Sequence, residues 1–220
     1  MSFLKKVLLI CGQRYPKDMK TTTSSLRDHL RPGQVYRRQE LGTHSRSVDR
    51  ELQALVQSGL LKKAYYGIYY CPKQSRFGEL PPEGHDLIRA FLKTDDFLAF
   101  SPNKLNGLCL GSTQLSNVIR VYNHKRQGIF TLAGQRFEFR IRPEYPKELT
   151  VEFLFVEFLN ERPNLPEEVP LRPERLKDKL QELDQRLVAQ IIRQFGKSYT
   201  KKIYAALTTQ QPASLPPPAS

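Results

Sequence analysis

The chain is poor in the residues from which disulfide frameworks and metal centres are built. Its three cysteines, Cys11, Cys71 and Cys109, are far apart and form no CxxC pair. An odd number of isolated cysteines predicts a reducing compartment, without a structural disulfide or a zinc site. The four histidines also lack the spacing of metal ligands, so the sequence predicts neither a metal nor another cofactor.

Long apolar runs are missing as well. The run at residues 7–11 is far shorter than the roughly 20 residues that cross a bilayer as a helix. Two lysines precede it, but no small-residue cleavage site follows, and Gln13-Arg14-Tyr15 is polar. The sequence therefore predicts no signal peptide and no membrane partner, and we expect a cytoplasmic protein.

Acidic residues are too few to balance the basic ones. The chain has 35 Lys and Arg against 22 Asp and Glu, a net charge of +13. Residues 1–76 hold 15 basic and 5 acidic side chains, whereas residues 77–148 have a net charge of +2 and residues 149–220 of +1. Clustered positive charge binds polyanions through counterion release. We therefore expect the first 76 residues to bind a nucleic acid.

Residues 33–72 have the pattern of a small DNA-binding unit. A short extended piece at residues 35–36 precedes residues 37–41, which suit one or two turns of helix. Ser45 or Ser47 then offers a hydroxyl cap for a second helix. This second helix carries apolar residues at helical spacing, namely Val48, Leu52, Leu55 and Val56.

Two extended apolar runs follow this helix, at residues 60–64 and 68–71. Tyr65-Tyr66-Gly67 would turn between them, because glycine is free to adopt a positive φ. The order of strand, short helix, longer helix and hairpin is typical of a winged helix-turn-helix. In that arrangement the second helix enters the major groove of DNA and the hairpin is the wing.

The whole chain is expected to have an α+β fold. A winged helix-turn-helix domain would span residues 1–76, and the polar, proline-containing segment 73–82 would be a linker. A small mixed α/β domain would follow at 77–148. C-terminal helices would form an extension at 149–207, and the Pro-rich tail 208–220 is expected to be disordered.

Some elements of the later segments are predicted in more detail. Residues 83–93 suit an amphipathic helix, and Ala133-Gly134 would join two alternating strands. Residues 151–159 fit a helix or a buried strand, and residues 174–195 fit one helix or two. Six basic side chains would form either a second basic face or an ordinary solvated sheet face, namely Arg120, Lys125, Arg126, Arg136, Arg140 and Arg142.

The predicted DNA contacts centre on the start of the second helix, where base contacts are made in a helix-turn-helix. They are His44, Ser45, Arg46, Ser47, Arg50 and Gln53. Arginine can pair with guanine and glutamine with adenine. The alternative for the same residues is an ordinary solvated helix face. Asp49 is expected to pair with Arg46 or Arg50 instead of contacting DNA.

Phosphate and wing contacts are predicted around this helix. Arg37 and Arg38 flank the first short helix and suit phosphates, while Lys62, Lys63 and Tyr66 lie at the wing. At least one of the two wing tyrosines is expected in the core. Five basic residues nearer the amino end would add phosphate contacts, namely Lys5, Lys6, Arg14, Lys17 and Lys20.

Catalytic motifs are not evident. Residues 107–113 contain two glycines but lack the lysine and the spacing of a phosphate-binding loop. Cys109 is flanked by apolar residues, which is typical of a core position, and Asp95-Asp96 is typical of a turn. The sequence therefore predicts a protein that is not an enzyme.

The first unit resembles the N-terminal winged helix of the AbiEi-type antitoxins. The matching stretches are residues 50–61, RELQALVQSGLL, and residues 66–72, YGIYYCP. The family has a helix that ends in a Gly-Leu-Ile or Gly-Leu-Leu motif, and then a Gly-x-Tyr hairpin that ends in proline. Many other regulators share such a unit.

A second stretch extends this resemblance to residues 20–145. Residues 108–115, LCLGSTQL, resemble the Gly-Leu-Thr-Thr-Gln element that opens the second α/β domain of the family. Thr113-Gln114 matches the family pattern, whereas Gly111-Ser112 departs from it. The pairing of the two stretches is more specific than either stretch alone.

The resemblance implies an antitoxin of a bacterial type IV toxin–antitoxin system. In that family the N-terminal domain binds operator repeats in duplex DNA and represses its own operon. The C-terminal domain neutralises a cognate nucleotidyltransferase-like toxin, with or without a stable complex. The residues alone leave two alternatives, which are an RNA-binding protein and a winged-helix regulator whose middle domain senses a ligand or mediates assembly.

Overall fold

The structure is a computed structural model that describes residues 26–110, 115–162 and 172–209. Within these residues the chain forms α-helices and three β-sheets, which confirms the predicted α+β class. The five basic residues predicted to bind phosphate near the amino end lie outside the described residues. So does the predicted tail, except for Thr208 and Thr209.

The first part of the described chain is a three-stranded antiparallel sheet with short helices. A 3-10 turn at Leu26–His29 is followed by β1 (Val35–Arg37), α1 (Arg38–Leu41), α2 (Val48–Gln57), β2 (Lys62–Tyr65) and β3 (Ile68–Tyr70). The strand order is β1-β3-β2, so the first strand pairs with the last. The bounds agree closely with those predicted from the sequence.

Five leucines form the core beneath these helices, namely Leu26, Leu41, Leu52, Leu55 and Leu61. Helix α2 contributes Leu52 and Leu55, as its apolar spacing predicts. Val56 was expected on the same stripe, but 38% of it is exposed. The buried stripe of α2 is therefore narrow, and most of the surface of this helix faces solvent.

The segment predicted as a linker forms a β-hairpin instead. Strands β4 (Lys73–Ser75) and β5 (Gly78–Leu80) pair antiparallel, so the predicted boundary after residue 76 falls at the hairpin tip. The Ser75 hydroxyl donates to the Gly78 carbonyl at 2.7 Å and accepts from the Phe77 N–H at 3.2 Å. Gly78 has φ +110°. These turn-forming features explain why a polar segment is ordered here.

The middle of the chain builds a mixed four-stranded sheet. Its elements are α3 (Gly84–Leu92), β6 (Leu98–Phe100), a 3-10 helix (Pro102–Leu108), β7 (Val118–Asn123), β8 (Gly128–Leu132) and β9 (Gln135–Ile141). The strand order is β6-β7-β9-β8, and β7 and β9 are parallel while the outer pairs are antiparallel. Ala133 and Gly134 have φ +47° and +80°, which confirms the predicted tight hairpin between β8 and β9.

Four helices complete the described chain, namely α4 (Val151–Glu161), α5 (Pro173–Glu182), α6 (Gln185–Phe195) and α7 (Ser198–Thr209). The stretch that fitted a helix or a strand is thus a helix, and the Thr150 hydroxyl caps it by accepting from the Phe153 N–H at 3.1 Å. The Asp184 carboxylate caps α6, which explains the break after α5. None of the described helices combines the length and apolar character needed to cross a membrane.

The four-stranded sheet has an apolar layer on both faces. One layer joins Phe137 and Phe139 to helix α3 and also to Ala64 and Ile68 of the first sheet. The other layer joins Tyr122 and the β6 side chains to helices α4 to α7. A backbone hydrogen bond from the Ala133 N–H to the Ala64 carbonyl, at 3.1 Å, also links the two sheets. The three predicted segments therefore share core layers.

Candidate nucleic-acid interface

The residues predicted to contact DNA bases lie where helix α2 begins. His44, Arg46 and Ser47 are exposed in or next to the turn before the helix, and Arg50 and Gln53 are exposed on the helix itself. The His44 imidazole stacks on the ring of His29 with 4.2 Å between centroids. Within the described part of the chain, Arg46 and Arg50 have no ion-pair partner, so both charges face solvent.

Glu51 holds the turn in place. Its carboxylate accepts a hydrogen bond from the Ser45 hydroxyl at 2.5 Å, from the Ser47 hydroxyl at 3.3 Å and from the Leu26 N–H at 3.4 Å. The hydrogen bond from Ser45 is the largest cause of a lowered pKa of Glu51. Ser47 precedes the helix as predicted, but its hydroxyl makes no backbone cap. Both serines therefore have an internal partner that the sequence did not reveal.

Arg38 and Asp49 form a bidentate ion pair between α1 and α2. Arg38 Nε donates to Asp49 Oδ1 at 2.6 Å, and Nη2 donates to Oδ2 at 2.5 Å. Hydrogen bonding to Arg38 lowers the pKa of Asp49. The expectation that Asp49 pairs with Arg46 or Arg50 is wrong, because α1 brings Arg38 alongside the first turn of α2. The Arg38 charge is thus shared with a carboxylate.

Arg37 also has partners within the chain. It is half-buried, its Nη2 donates to Gln39 Oε1 at 3.1 Å, and its Nη1 lies 3.7 Å from Glu40 Oε1. These contacts hold the guanidinium beside α1. Both arginines that were predicted to contact phosphates, Arg37 and Arg38, are therefore paired with carboxylates of the protein itself.

The tip of the hairpin between β2 and β3 presents one tyrosine to solvent and one to the core. Tyr66 is 80% exposed, and the Lys63 ammonium lies 4.9 Å from the centroid of its ring. Tyr65 packs edge-on against Phe91 at 5.3 Å, which confirms that one of the two tyrosines belongs to the core. Lys62, at the far end of β2, pairs with Glu79 of β5.

The hairpin tip and the starts of both helices lie at the same end of the unit. The Arg38 N–H donates to the Gly67 carbonyl at 2.8 Å, which joins the start of α1 to the hairpin tip. The pair of Arg38 with Asp49 joins the start of α1 to the start of α2. We call this end of the unit the tip face. It comprises the start of α2, with Arg46 and Arg50, and the hairpin tip, with Lys63 and Tyr66.

Besides Asp49, helix α2 exposes three further residues outside the predicted contact set, namely Ala54, Val56 and Gln57. Ala54 and Gln57 are exposed, and they follow Arg50 and Gln53 at helical spacing. The spacing alone was a sufficient signal, since residues at i, i+3, i+4 and i+7 share a helix face.

The second basic face considered for the middle of the chain does not form as a row of free cations. Arg120, Arg140 and Arg142 contact carboxylates of β9 and α4, within a network that also contains Glu138, Glu157 and Glu161. Arg120 Nε donates to Glu138 at 3.1 Å, Arg140 Nη1 to Glu161 at 2.8 Å, and Arg142 Nη2 to Glu157 at 2.8 Å. The charges of these three arginines are therefore neutralised by Glu138 of β9 together with Glu157 and Glu161 of α4, while Arg136 is exposed.

Glu157 is the centre of this network. It is completely buried, and it accepts a hydrogen bond from the Tyr122 hydroxyl as well as from Arg142. The pKa of Tyr122 is raised, first by burial and then by the nearby charge of Glu157. Lys125 and Arg126 also contact the fold, because Lys125 Nζ donates to the Leu92 carbonyl at 3.2 Å and Arg126 lies over the Phe91 ring at 4.4 Å.

No metal centre is found in the described residues, where no group of three or more His, Cys, Asp or Glu is placed to hold an ion. Cys109, expected in the core, is exposed instead, in a left-handed conformation with φ +57°. Asp95 and Asp96 lie in the turn between α3 and β6, as expected. The Asp96 carboxylate accepts from the Tyr145 hydroxyl at 3.1 Å and lies 3.4 Å from His124 Nε2.

Comparison with known proteins supplies a fold and no family. No family model matches the sequence, and no curated protein matches it. One similar solved structure is the crystal structure of the RV2827C protein from Mycobacterium tuberculosis, with a TM-score of 0.53 and 13% sequence identity. The match covers 84% of this chain and 73% of that chain. At this identity the similarity concerns the fold alone.

Proposed function

We propose that residues 26–72 form a winged helix-turn-helix that binds duplex DNA with its tip face. The element order supports this proposal, because a turn, strand, two helices and a two-stranded hairpin follow one another, and the first strand pairs with the last. In this assignment α2 is the recognition helix and the β2–β3 hairpin is the wing.

One observation carries the proposal. Arg46 and Arg50 are exposed and unpaired within the described residues, and Arg38 links the start of their helix to the exposed hairpin tip with Lys63 and Tyr66. Base contacts in a helix-turn-helix come from the start of the recognition helix, and wing residues contact the flanking backbone. The unpaired charges therefore lie where such a protein needs them.

Within this proposal the chain is the antitoxin of a type IV toxin–antitoxin pair and the repressor of its own operon. This part rests on the resemblance of residues 50–72 and 108–115 to the AbiEi-type antitoxins. Residues 111–114 of the second stretch lie outside the described residues. The protein would act by binding, without catalysis, with the cognate nucleotidyltransferase-like toxin as its protein partner.

A gel-shift titration with the upstream promoter DNA tests the DNA-binding half. The double variant Arg46→Ala/Arg50→Ala should lose most of the affinity of the wild type. Arg175→Ala/Arg186→Ala is the matched control, because it removes two exposed arginines from α5 and α6 and changes the net charge equally. Equal affinity of the two double variants would refute the assignment of α2. Parallel titrations of duplex RNA at the same salt distinguish the RNA-binding alternative.

Co-expression with the product of the neighbouring gene tests the antitoxin half. The proposal expects that product to stop growth when it is expressed alone and the present chain to restore growth. It also expects rescue to survive the Arg46→Ala/Arg50→Ala change, because toxin neutralisation is assigned to the later part of the chain. A non-toxic neighbour, or a toxin that this chain does not counteract, would refute the antitoxin assignment.

The alternative regulator, with a ligand-sensing middle domain, has one observation in its favour. An open cleft of about 890 Å³ lies between the turn before β6, the end of α6 and the segment after β9. The His124 and Tyr145 rings stack at its wall with 4.9 Å between centroids. Failure of the rescue experiment together with specific promoter binding would favour this alternative.

A further inference from the structure

Four of the six exposed side chains of α2 form one stripe along the helix. Arg50, Gln53, Ala54 and Gln57 are all exposed, and their spacing of three, one and three residues keeps them on one side of the helix. The buried residues Leu52 and Leu55 lie on the other side. The stripe presents one guanidinium, two amides and one methyl group in a row, and the exposed Asp49 and Val56 lie beside it.

The polar side chains next to this stripe are bound within the protein and are not free to contact DNA. Asp49 is bound by two nitrogens of Arg38, Nε and Nη2, and the Ser45 and Ser47 hydroxyls donate to Glu51. The negative charge nearest to the stripe is thus neutralised by an arginine. Ser45 and Ser47, which were predicted to contact bases, therefore bond to Glu51 instead. The four residues of the stripe remain free to contact DNA.

The stripe has a defined direction relative to the wing. Asp49 is joined to Arg38, and the Arg38 N–H is bonded to Gly67 at the wing tip. Arg50, next to Asp49, is therefore at the wing-tip end of α2. Gln57 is at the other end, near the base of the wing, where the Leu61 N–H donates to the Leu55 carbonyl at 3.1 Å. Arg50 and Gln57 are separated by about 10 Å along the helix axis, at 1.5 Å per residue. This length corresponds to about three base-pair steps of 3.4 Å.

Each of these side chains has a preferred partner in the major groove. Arginine donates two hydrogen bonds to guanine, glutamine pairs with the N6 and N7 of adenine, and alanine packs against the methyl group of thymine. A stripe of Arg, Gln, Ala and Gln is therefore complementary to a short site with guanine at one end, adenine in the middle and at the other end, and a thymine methyl between them.

We propose that this stripe determines the operator sequence, and that it contacts about four base pairs with a guanine on the side of the wing tip and adenines toward the Gln57 end of α2. The proposal rests on the DNA-binding function proposed above. It adds Ala54 and Gln57 to the contact set and assigns the base-specific role to α2. Arg46, in the turn before the helix, then contacts the phosphate backbone.

Selection of binding sites from a randomised duplex pool tests the proposal. Wild type should enrich sites with guanine and adenine in the stated order. Arg50→Gln should replace the preference for guanine with a preference for adenine at that one position. Gln57→Ala should reduce the discrimination at the adenine farthest from the wing tip by about tenfold, without changing the other positions. Gln190→Ala, an exposed glutamine of α6, is the control and should select the wild-type site.

The outcomes separate this proposal from the one on which it rests. If wild type selects a defined site and Arg50→Gln and Gln57→Ala select that same site, the stripe is not the base-contacting surface, while DNA binding stands. If Arg50→Gln weakens binding to every sequence equally and makes the salt dependence less steep by about one phosphate contact, Arg50 binds the backbone and the assignment is overturned. If wild type binds no duplex, both proposals fail.

Discussion

Arg38 and Asp49 are eleven residues apart and meet through two parallel hydrogen bonds of 2.6 and 2.5 Å, which join the first helix of the proposed DNA-binding unit to the second. This pair leaves the start of α2 without a net negative charge. It also links α2 to the wing, since the backbone of Arg38 is bonded to Gly67.

The first prediction concerns the charge of this pair. Asp49→Ala should raise the affinity for duplex DNA and make its salt dependence steeper by about one phosphate contact, because the Arg38 guanidinium becomes available to the backbone. Arg38→Ala should lower the affinity, since it leaves the Asp49 carboxylate uncompensated near the phosphates. The measurement is the dissociation constant over a series of salt concentrations.

Glu182→Ala is the control for Asp49→Ala, because it changes the net charge equally on α5, far along the chain, where Glu182 pairs with Lys179. A gain of affinity in both variants would mean that total charge alone is responsible. Unchanged affinity in Asp49→Ala would mean that Arg38 does not approach DNA.

The second prediction concerns the wing. Lys63→Ala should weaken binding to all DNA sequences by a similar factor and make the salt dependence less steep by about one contact, as expected for a phosphate-binding lysine. Lys201→Ala, which removes an exposed lysine from α7, should leave both quantities unchanged. A loss confined to one DNA sequence would instead assign a base contact to Lys63.

Sequence patterns predicted the local part of this unit well. The apolar spacing of α2 and the glycine at the turn of the wing were sufficient, because both features depend on residues close together in the chain. The same patterns missed the partner of Asp49 and the role of Glu51. Those contacts depend on how α1, α2 and the Leu26–His29 turn lie against one another, and spacing within one helix does not contain that information.

The middle of the chain shows the same limit. Alternation predicted strands β8 and β9 and their Ala133-Gly134 turn, but not that β9 pairs with β7 in parallel. The arginines on β7 and β9 suggested either a basic face or a solvated one. Neither expectation included the carboxylates of α4, because the sequence of residues 151–159 fitted a strand as well as a helix. Its Glu157 and Glu161 are one helical turn apart and reach those arginines together.

The third prediction concerns this buried network. Glu157→Ala should lower the free energy of unfolding by about 3–5 kcal/mol, because it leaves the largely buried Arg142 without its carboxylate, whereas Arg120 keeps Glu138 and Glu161. Urea denaturation at neutral pH measures the change. Glu182→Ala breaks an exposed pair and should change the stability by at most about 1 kcal/mol. A similar small loss in Glu157→Ala would show that water replaces the carboxylate at no large cost.

The fourth prediction is the pH dependence of stability from Glu161. Burial raises the pKa of this carboxyl, but the hydrogen bond from Arg140 and the charges of Arg120, Arg140 and Lys197 together lower it below the ordinary value. The unfolded chain therefore binds the proton more readily. The stabilisation by Glu161 is complete above the ordinary glutamate pKa of about 4.3 and is lost as the pH falls through the lower folded value.

Urea denaturation of wild type and Glu161→Gln between neutral pH and about pH 3 tests this sign. The stability difference between the two proteins should be largest at neutral pH and should shrink on acidification. A difference that stays constant with pH would show that Glu161 contributes by packing and not by its charge.

The fifth prediction concerns the β8–β9 turn. Ala133 adopts φ +47°, a left-handed conformation that costs a residue with a Cβ atom about 1–2 kcal/mol. Ala133→Asn should therefore raise the melting temperature, since asparagine tolerates this conformation and Asn-Gly is the preferred pair in such turns. Ala133→Val should lower it, because a β-branched side chain is strained there. Thermal unfolding followed by circular dichroism distinguishes the two directions.

The shared apolar layer between the two sheets bears on any attempt to isolate the proposed DNA-binding head. Ala64 and Ile68 are buried by partners that come from later in the chain, including Phe137 and Phe139. A fragment that ends after Pro72 would leave these side chains in contact with water and would tend to associate. A soluble fragment of the proposed DNA-binding unit therefore requires polar substitutions at buried positions such as Ala64 and Ile68.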